Sequence, residues 1–330
     1  MTAMSVRRAA ALTVGAGAAA LGWATLVERH WYALRRATLP VLAPGSRPLR
    51  MLHVSDLHLV PRQEHRIRWV QALAGLEPDY VVNTGDNCSD LEAVPAVLRA
   101  FEPLLEVPGC FVLGSNDYFA PTPKNPMRYF NLSHERGANL GSTPLPVDEL
   151  VAGFTGGGWT DLNNRRTRVD IRGLDVELVG VDDPHLDYDR YEDVSAAADT
   201  DAALTLGVLH APYTRVLDGM SADGAQLLLA GHTHGGQLAV PFYGALVTNC
   251  DLDRGRAKGV SRWWPGAASA GRVGGALAEP YRDRGMSPSG ASWLNVSAGL
   301  GHSKYAPARF ACRPEASLLT LVPRGAEPIS

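Results

Sequence analysis

Hydrophobic and polar positions follow a layered α/β pattern from about residue 49 onward. Two apolar stretches, LRMLHVS and DYVVNTGD, flank a segment whose apolar residues Ile67, Val70 and Leu73 recur at helical spacing. A helix at 91–101 and a strand at 110–113 follow. This succession of strands and helices predicts an α/β fold in which helices cover a sheet.

The period changes in the middle of the chain. The stretch TRVDIRGLDVELVGV alternates about Arg172 and Gly173, which predicts an antiparallel hairpin. Further strands are predicted at 204–209, 226–230, 293–297 and 317–322. The sheets are therefore expected to be mixed.

The chain before residue 49 has a different character. Residues 9–27 contain no charge over nineteen positions, eight of them alanine and three glycine, so the segment can just span a bilayer but is weakly hydrophobic. Arg7 and Arg8 precede it and ERHWYALRR follows it. An export signal and a membrane anchor are both compatible with this pattern. A buried alanine-rich helix is the third alternative, although such a helix normally shows a polar face.

These boundaries predict three regions. Residues 1–37 form an N-terminal membrane anchor or signal-like segment, the Pro- and Gly-rich residues 38–48 form a linker, and 49–325 form one folded domain. A single anchor would attach the chain to the cell membrane, with the domain outside the cytoplasm. Because no candidate ligand precedes Asp56, deletion of residues through Arg36 is expected to leave an active domain.

The composition of the chain limits the classes of molecule that it is expected to bind. The chain of 330 residues is 45% hydrophobic and carries a net charge of -3 with mixed signs, so it lacks the basic field that would bind nucleic acid. A small partner is more consistent with this surface. The four cysteines form no C-x-x-C motif, which argues against a cysteine-ligated zinc site and favours buried free thiols.

Potential metal ligands follow five of the predicted strands. The carboxyl ends of strands in α/β sheets form the ligand-binding crevice. Oxygen and nitrogen donors without sulfur suit two divalent cations such as Mn, Fe or Zn. The candidate ligands are Asp56, His58, Asp86, Asn116, His210, His232 and His234.

The motifs D-x-H, GD-x, a GN-like turn, a lone histidine and GHTHGGQ, in this order, resemble the calcineurin-like metallophosphoesterase superfamily over about 49–322. The N-terminal segment, GVDDPH and the tail SAGLGHSKYAPARF are most similar to its membrane-associated bacterial branch. The resemblance implies a four-layer αββα sandwich with two mixed sheets. It also implies a dinuclear metal site at the carboxyl ends of the strands, where a metal-bridging hydroxide hydrolyses phosphate esters.

Carried over by position, the resemblance assigns the ligands to two metals. The first metal would be held by Asp56, His58 and His234, and the second by Asn116, His210 and His232. Asp86 would bridge the two, since a carboxylate can share its oxygens between cations. Neutral imidazoles keep the site positive enough to bind an anionic phosphate.

The sequence departs from the family pattern at residues 114–117, which read GSND where the family has GNHD. Aligned without a gap, Ser115 takes the position of the asparagine ligand and Asn116 that of the histidine acid. Counting from Gly109 instead makes Asn116 the ligand and puts Asp117 at the catalytic acid position, and we prefer this register. Two neighbouring cations would depress the pKa of Asp117 and make it a poor proton donor. His134 and His185 are the alternative acids.

Other residues leave the interpretation open. Asp182, Asp183 and His185 are interpreted as a polar loop near the site rather than as ligands. The Arg262, Trp263 and Trp264 stretch would contact a phosphate or acyl group, lie at the membrane interface, or pack in a loop.

The expected function is a phosphodiesterase or phosphatase acting on a small phosphoester. A lipid-linked or envelope substrate is favoured, and nucleotide diesters come second. The alternative is a membrane-anchored, noncatalytic metal-binding protein.

Overall fold

The computed structural model describes residues 3–122, 143–270, 287–302 and 304–325. The strands are β1 (Ala33–Leu42), β2 (Leu49–Val54), β3 (Tyr80–Asn83), β4 (Gly109–Phe111), β5 (Thr160–Asp161), β6 (Arg165–Ile171), β7 (Leu174–Gly180), β8 (Leu204–Val208), β9 (Leu227–Ala230), β10 (Ala239–Val240), β11 (Gly244–Ala245), β12 (Gly259–Trp263), β13 (Ser292–Val296) and β14 (Glu315–Pro323). The α-helices are α1 (Ala3–Gly22), α2 (Glu64–Ala72), α3 (Val94–Phe101), α4 (Ser115–Tyr118), α5 (Val147–Gly156), α6 (Tyr191–Val194) and α7 (Thr214–Ala222).

The large strands form two six-stranded sheets. The first sheet has the order β1-β14-β2-β3-β4-β5 and the second has the order β12-β13-β9-β8-β7-β6. In the first sheet β14 runs antiparallel to β2 while β2, β3, β4 and β5 are parallel. In the second, β6 and β12 are the antiparallel edge strands. Both sheets are therefore mixed, as expected.

The hydrophobic core consists mainly of three clusters, one between the two sheets and one between each sheet and its helices, which together define the αββα sandwich. Leu39, Val82, Leu206 and Leu229, among others, pack between the two sheets. Buried residues of α2, α3 and α5 pack on the outer face of the first sheet. Residues of α7 pack on the outer face of the second. The predicted fold class is confirmed.

The predicted strands from β2 onward are found, including the β6–β7 hairpin about Arg172 and Gly173. The N-terminal part differs from the expectation. Strand β1 pairs with β14 along nearly its whole length, and Leu39, Val41 and Leu42 are buried. Residues 38–42, assigned to a linker, thus belong to the first sheet, because their alternating apolar side chains fill the space between the sheets.

The N-terminal segment projects from this sandwich. Helix α1 continues through a wide helical turn, Trp23–Val27, and a 3₁₀ turn, Glu28–His30. The described residues contain one helix long and apolar enough to cross a membrane, Ala11–His30. Leu12 and Val14 are 75% and 73% exposed, which speaks against a helix buried in the core. By length and composition alone the helix could be a signal or an anchor.

Candidate metal centre

The candidate ligands lie where the carboxyl ends of strands from both sheets meet. Asp56 and Asp86 follow β2 and β3 of the first sheet, and His210 follows β8 of the second. His232 and His234 follow β9. Because the carboxyl ends of these strands lie at one edge of the sandwich, residues distant in sequence converge there.

Four of these side chains form a compact cluster. One possible ligand atom from each of Asp56, His58, Asp86 and His234 lies within 4.8 Å of the others. The Nε2 atoms of His58 and His234 are 3.0 Å apart, and Nε2 of His58 is 3.4 Å from Oδ2 of Asp86. At metal–nitrogen distances of about 2.0–2.1 Å, two ligands of one tetrahedral ion lie roughly 3.3 Å apart, so this spacing fits a shared cation.

The backbone at the cluster is in a rarely occupied conformation. Five candidate ligands have φ between 42° and 67°, a region that L-residues other than Asn and Asp seldom occupy: Asp56, His58, Asp86, His232 and His234. Each such residue costs on the order of 1–3 kcal/mol, and these conformations concentrate at functional sites. The strain is consistent with a backbone shaped to direct these side chains inward.

Hydrogen bonds fix which nitrogen of three histidines points into the cluster. Nδ1 of His210 donates to the carbonyl of Thr84 at 2.6 Å, which leaves Nε2 to face Asp86. Nε2 of His232 donates to the carbonyl of Asn249 at 3.1 Å, which leaves Nδ1 available. Nδ1 of His58 contacts the Ser89 hydroxyl at 3.1 Å. Such outer contacts set the tautomer of a metal ligand.

Next to the cluster, one buried nitrogen has no hydrogen-bond partner among the described residues. Nε2 of His210 is buried without one and lies 3.5 Å from Oδ2 of Asp86. An orphaned polar atom at such depth is costly. A cation between His210 and Asp86 would satisfy it, so the residues present fit a bound metal.

The buried charges favour a positive ion at the same place. Burial acts to raise the pKa of Asp86, but His210 and then His58 outweigh it and hold that pKa well below its usual range. At Asp56 burial prevails, and its pKa is raised. Burial lowers the pKa of His58 to about 4 and that of His234 well below its usual value. These two imidazoles are therefore neutral, the form in which histidine binds metals.

The side chain of Asn116, not that of Ser115, reaches the cluster. Nδ2 of Asn116 donates to Oδ2 of Asp86 at 2.8 Å, and its backbone N–H donates to Oδ1 at 2.7 Å. The Ser115 hydroxyl accepts only a 3.4 Å contact from the Asn116 amide among the hydrogen bonds of the described residues. Rotating the amide would direct its oxygen to the same place. That Asn116 rather than Ser115 is the ligand stays a prediction.

Comparison with known proteins places this site in a family. The family model for calcineurin-like phosphoesterases matches residues 49–236, more than half of the chain. The chain belongs to the calcineurin-like phosphoesterase family. It is thus a metallophosphoesterase, a hydrolase of phosphoric esters.

Two proteins of Bacillus subtilis (strain 168) are similar to this phosphoesterase. The uncharacterised metallophosphoesterase YkuE is 25% identical over 322 residues, which cover 95% of this chain and 92% of YkuE. The uncharacterised protein YpbG is 26% identical over 245 residues, covering 73% and 82% respectively. Among solved structures, TT1561 of Thermus thermophilus aligns with a TM-score of 0.37 at 11% identity, covering 77% of this chain and 91% of TT1561.

In this phosphoesterase Asp117 is turned toward the backbone. Its carboxylate accepts hydrogen bonds from the N–H groups of Asp86, Asn87 and Gly114 at 2.8, 2.8 and 3.0 Å. Burial and then Asp86 raise its pKa to about 6, whereas the sequence predicted a depressed pKa caused by cations. These contacts give Asp117 a structural use, holding the Gly85 turn against the end of β4. Its catalytic role stays a prediction.

The loop after β7 lies beside the phosphoesterase site, as interpreted from the sequence. The His185 ring is 4.6 Å from the His232 ring, and its Nδ1 contacts the Tyr213 hydroxyl at 3.1 Å. Asp183 is wholly buried, and within the part of the chain that the structure describes its Oδ2 has no hydrogen-bond partner. Sequence reasoning treated Asp183 as a polar loop residue, because only packing reveals that this carboxylate is enclosed. His134 lies outside the described residues.

Two supporting groups near the ligands carried no signal in the sequence. Arg309 is fully buried, and its Nη2 donates to Nδ1 of His234 at 3.1 Å and to the carbonyls of Ala298 and Gly301. Because a guanidinium only donates, Arg309 fixes the orientation and tautomer of His234. In this tautomer Nε2 of His234 carries the ring proton and faces Nε2 of His58 at 3.0 Å.

The second group is a hydrogen-bonded chain that runs from the inter-sheet core to Asp56. His53 contacts the Thr84 hydroxyl at 2.9 Å, Thr84 donates to Ser55 at 2.6 Å, and Ser55 donates to Oδ2 of Asp56 at 2.5 Å. On its other side His53 contacts the Asn295 amide of β13 at 2.9 Å. The chain joins both sheets to one ligand and so resists displacement of Asp56.

The tryptophan-rich stretch is explained by packing. Trp263 is wholly buried on β12, and its indole N–H donates to Asp218 at 2.9 Å. The Arg262 guanidinium lies 4.4 Å from the Trp293 ring centroid. Of the alternatives raised for this stretch, the contacts of Trp263 agree with packing rather than with exposure at a membrane interface.

Proposed function

We propose that the cluster holds two divalent cations and hydrolyses phosphoesters with them. Asp56, His58 and His234 would hold the first, and Asn116, His210 and His232 the second, with Asp86 between them. The observation that carries the proposal is the convergence of Asp86 with the orphaned Nε2 of His210 and the Nε2 of His58, at 3.5 and 3.4 Å. Mn, Fe and Zn all suit this set of oxygen and nitrogen donors.

Bound cations would polarise the phosphoryl oxygens and ionise a water near neutral pH. The protein's own residues prepare the place for this chemistry. Asp86 is positioned by the Asn116 backbone N–H, and Asp56 by Ser55 and by the His232 backbone N–H. Because the ligands are anchored on two sheets that pack against each other, the distances between the ligands stay fixed. His185, next to His232, remains a candidate acid for the leaving group.

The membrane assignment belongs to the same proposal. Helix α1 would anchor the chain in the cell membrane with the catalytic domain outside the cytoplasm, which agrees with the membrane-associated bacterial branch suggested by the sequence. The candidate span is exposed from residue 11 to residue 19 and rich in alanine. A phosphoester with a lipid-linked or envelope alcohol is then the favoured substrate class, because an anchored enzyme meets such substrates at the surface where it is held.

The test is a comparison of Asp86→Asn with Asp90→Asn in the full chain. Asp90 lies four positions away and pairs with Lys304 at the surface, so it controls for the substitution itself. Wild type and Asp90→Asn should bind two manganese ions and hydrolyse nitrophenyl mono- or diesters. Asp86→Asn should lose about a thousandfold in turnover, because metal catalysis contributes several kcal/mol.

Metal analysis of the same samples decides between the alternatives. Two bound ions without turnover of any ester would favour a noncatalytic metal-binding protein. One ion or none in an active sample would refute the dinuclear proposal.

A further inference from the structure

The N-terminal segment enters the fold at the edge of the sandwich that carries the metal centre. In the first sheet Ala33 pairs with Glu315 in parallel, and Ser317 pairs with His53 in antiparallel fashion. The start of β1 therefore lies beside the end of β2, where Asp56 follows. A membrane crossed by α1 would face the catalytic edge.

Direct contacts fix the end of the N-terminal segment to this edge. The backbone N–H of Arg309 donates to the carbonyl of Ala24 at 3.0 Å, and that of Cys312 donates to the Glu28 carboxylate at 2.6 Å. The Arg313 guanidinium lies 4.1 Å from the Trp31 ring centroid. The exit of the helix is thus bonded to the loop that supports His234.

The short hairpin β10–β11 is held by the same loop. The N–H of Ala239 donates to the carbonyl of Phe310 at 2.8 Å. The N–H of Phe310 donates to the carbonyl of Gln237 at 3.1 Å. The hairpin follows directly after the GHTHGGQ turn that carries His232 and His234. The base of the hairpin therefore lies at the catalytic edge near the helix exit.

The hairpin exposes apolar side chains. Phe242 at its tip is 87% exposed, and Leu238, Val240 and Leu246 are each more than 40% exposed. No Asp, Glu, Lys or Arg occurs between Gly224 and Cys250. Scattered exposed apolar residues are ordinary, but several within one short hairpin indicate a surface that is covered in use.

The chemistry of this surface matches a bilayer boundary. Burying a phenylalanine side chain contributes about 1.5–3 kcal/mol. Aromatic and aliphatic side chains flanked by basic groups are typical of segments that lie at the headgroup boundary. Arg254 lies 5.7 Å from the Tyr243 ring, and its guanidinium suits a lipid phosphate.

We propose that the β10–β11 hairpin inserts its tip, residues 241–243, into the headgroup region of the bilayer, so that the catalytic edge rests on the membrane. The proposal rests on the anchor role of α1 proposed above. It makes the membrane surface itself the partner of the metal centre.

Site-specific fluorescence quenching tests this arrangement in the full chain. The four native cysteines are buried, so a single exposed cysteine can be labelled selectively with a fluorophore. Labelled Phe242→Cys and Val240→Cys variants are reconstituted in phosphatidylcholine vesicles with and without brominated acyl chains. Val240→Cys retains Phe242 and so guards against loss of the anchor residue. Leu12→Cys reports insertion of α1. Arg47→Cys, just before β2 and at the opposite edge, is the control.

Brominated lipid should lower fluorescence about twofold or more at residue 12, inside the bilayer, and at residues 240 and 242, at the boundary between headgroups and acyl chains. It should leave residue 47 unchanged. Quenching at residue 12 without quenching at 240 and 242 would overturn the proposal while keeping the anchor. Absence of quenching at residues 12, 240 and 242 would overturn both. Turnover of a soluble nitrophenyl ester by each labelled protein tests the catalytic proposal separately.

Discussion

His53 offers a quantitative test of the polar chain that joins the two sheets to Asp56. The side chain is wholly buried, with one ring nitrogen 2.9 Å from the Thr84 hydroxyl and the other 2.9 Å from the Asn295 amide. Burial lowers the pKa of His53 from 6.5 to about 3. Folding therefore requires the neutral imidazole.

The sign of the pH dependence follows from the two pKa values. Between about pH 6.5 and pH 3 the unfolded chain binds a proton at His53 that the folded chain does not, so the free energy of unfolding falls as the pH falls through this window. Each pH unit below 6.5 costs about 1.4 kcal/mol, and acidification to about pH 5 therefore costs about 2 kcal/mol through His53 alone.

The perturbation is His53→Gln, which removes the titrating group. Urea unfolding of the full chain in detergent, followed by tryptophan fluorescence with chelator present, gives the free energy of unfolding at about pH 8 and about pH 5. The advantage of wild type over the variant should shrink by about 2 kcal/mol between these conditions. Thr84→Val breaks the same chain without removing a titrating group, so its pH dependence should equal that of wild type. A difference between wild type and His53→Gln that does not change with pH would refute the reasoning.

Three further outcomes follow from the site. Asn116→Ala should lose one of two manganese ions and most turnover, because only the Asn116 amide reaches Asp86. Ser115→Ala should keep both ions. Metal analysis showing the reverse would restore the ungapped register. Asp117→Asn should lower the free energy of unfolding by about 2–4 kcal/mol, since a charged acceptor of three backbone N–H groups is lost. It should leave the dependence of turnover on leaving-group pKa unchanged, and a steeper dependence would identify Asp117 as the acid. Deletion through residue 22 should preserve thermal stability. Deletion through Arg36 should lower the melting temperature by about 5–10 °C, because it removes the start of β1. Equal melting temperatures of the two truncated proteins would contradict this expectation.

The truncation expectation shows where sequence reasoning fell short. Residues 38–48 contain proline and glycine, which predicted a linker, yet β1 pairs with β14 from the far end of the chain. No local pattern reveals a strand whose partner lies about 280 residues away. The buried Arg309 was missed for the same reason, because its contact with His234 joins distant segments.

The strands that carry the ligands were predictable from the sequence. Their apolar runs end in Asp, Asn or His. Such runs can be recognised in the sequence because a strand buried on both faces is apolar throughout. Asp117 marks the limit of that reasoning. Its position next to Asn116 identified a polar group at the site, but only the three backbone N–H groups around it reveal what the carboxylate does.

The loop from 306 to 312 has one further consequence. Its backbone is bonded to Ala24 and Glu28 of the N-terminal segment, while the Arg309 side chain in the same loop holds His234. Two events that stabilise one loop conformation favour each other by the same free energy. If α1 is the anchor and His234 a metal ligand, as proposed above, seating of the helix exit and metal binding at His234 would therefore be reciprocal. A pull on α1 would then weaken metal binding.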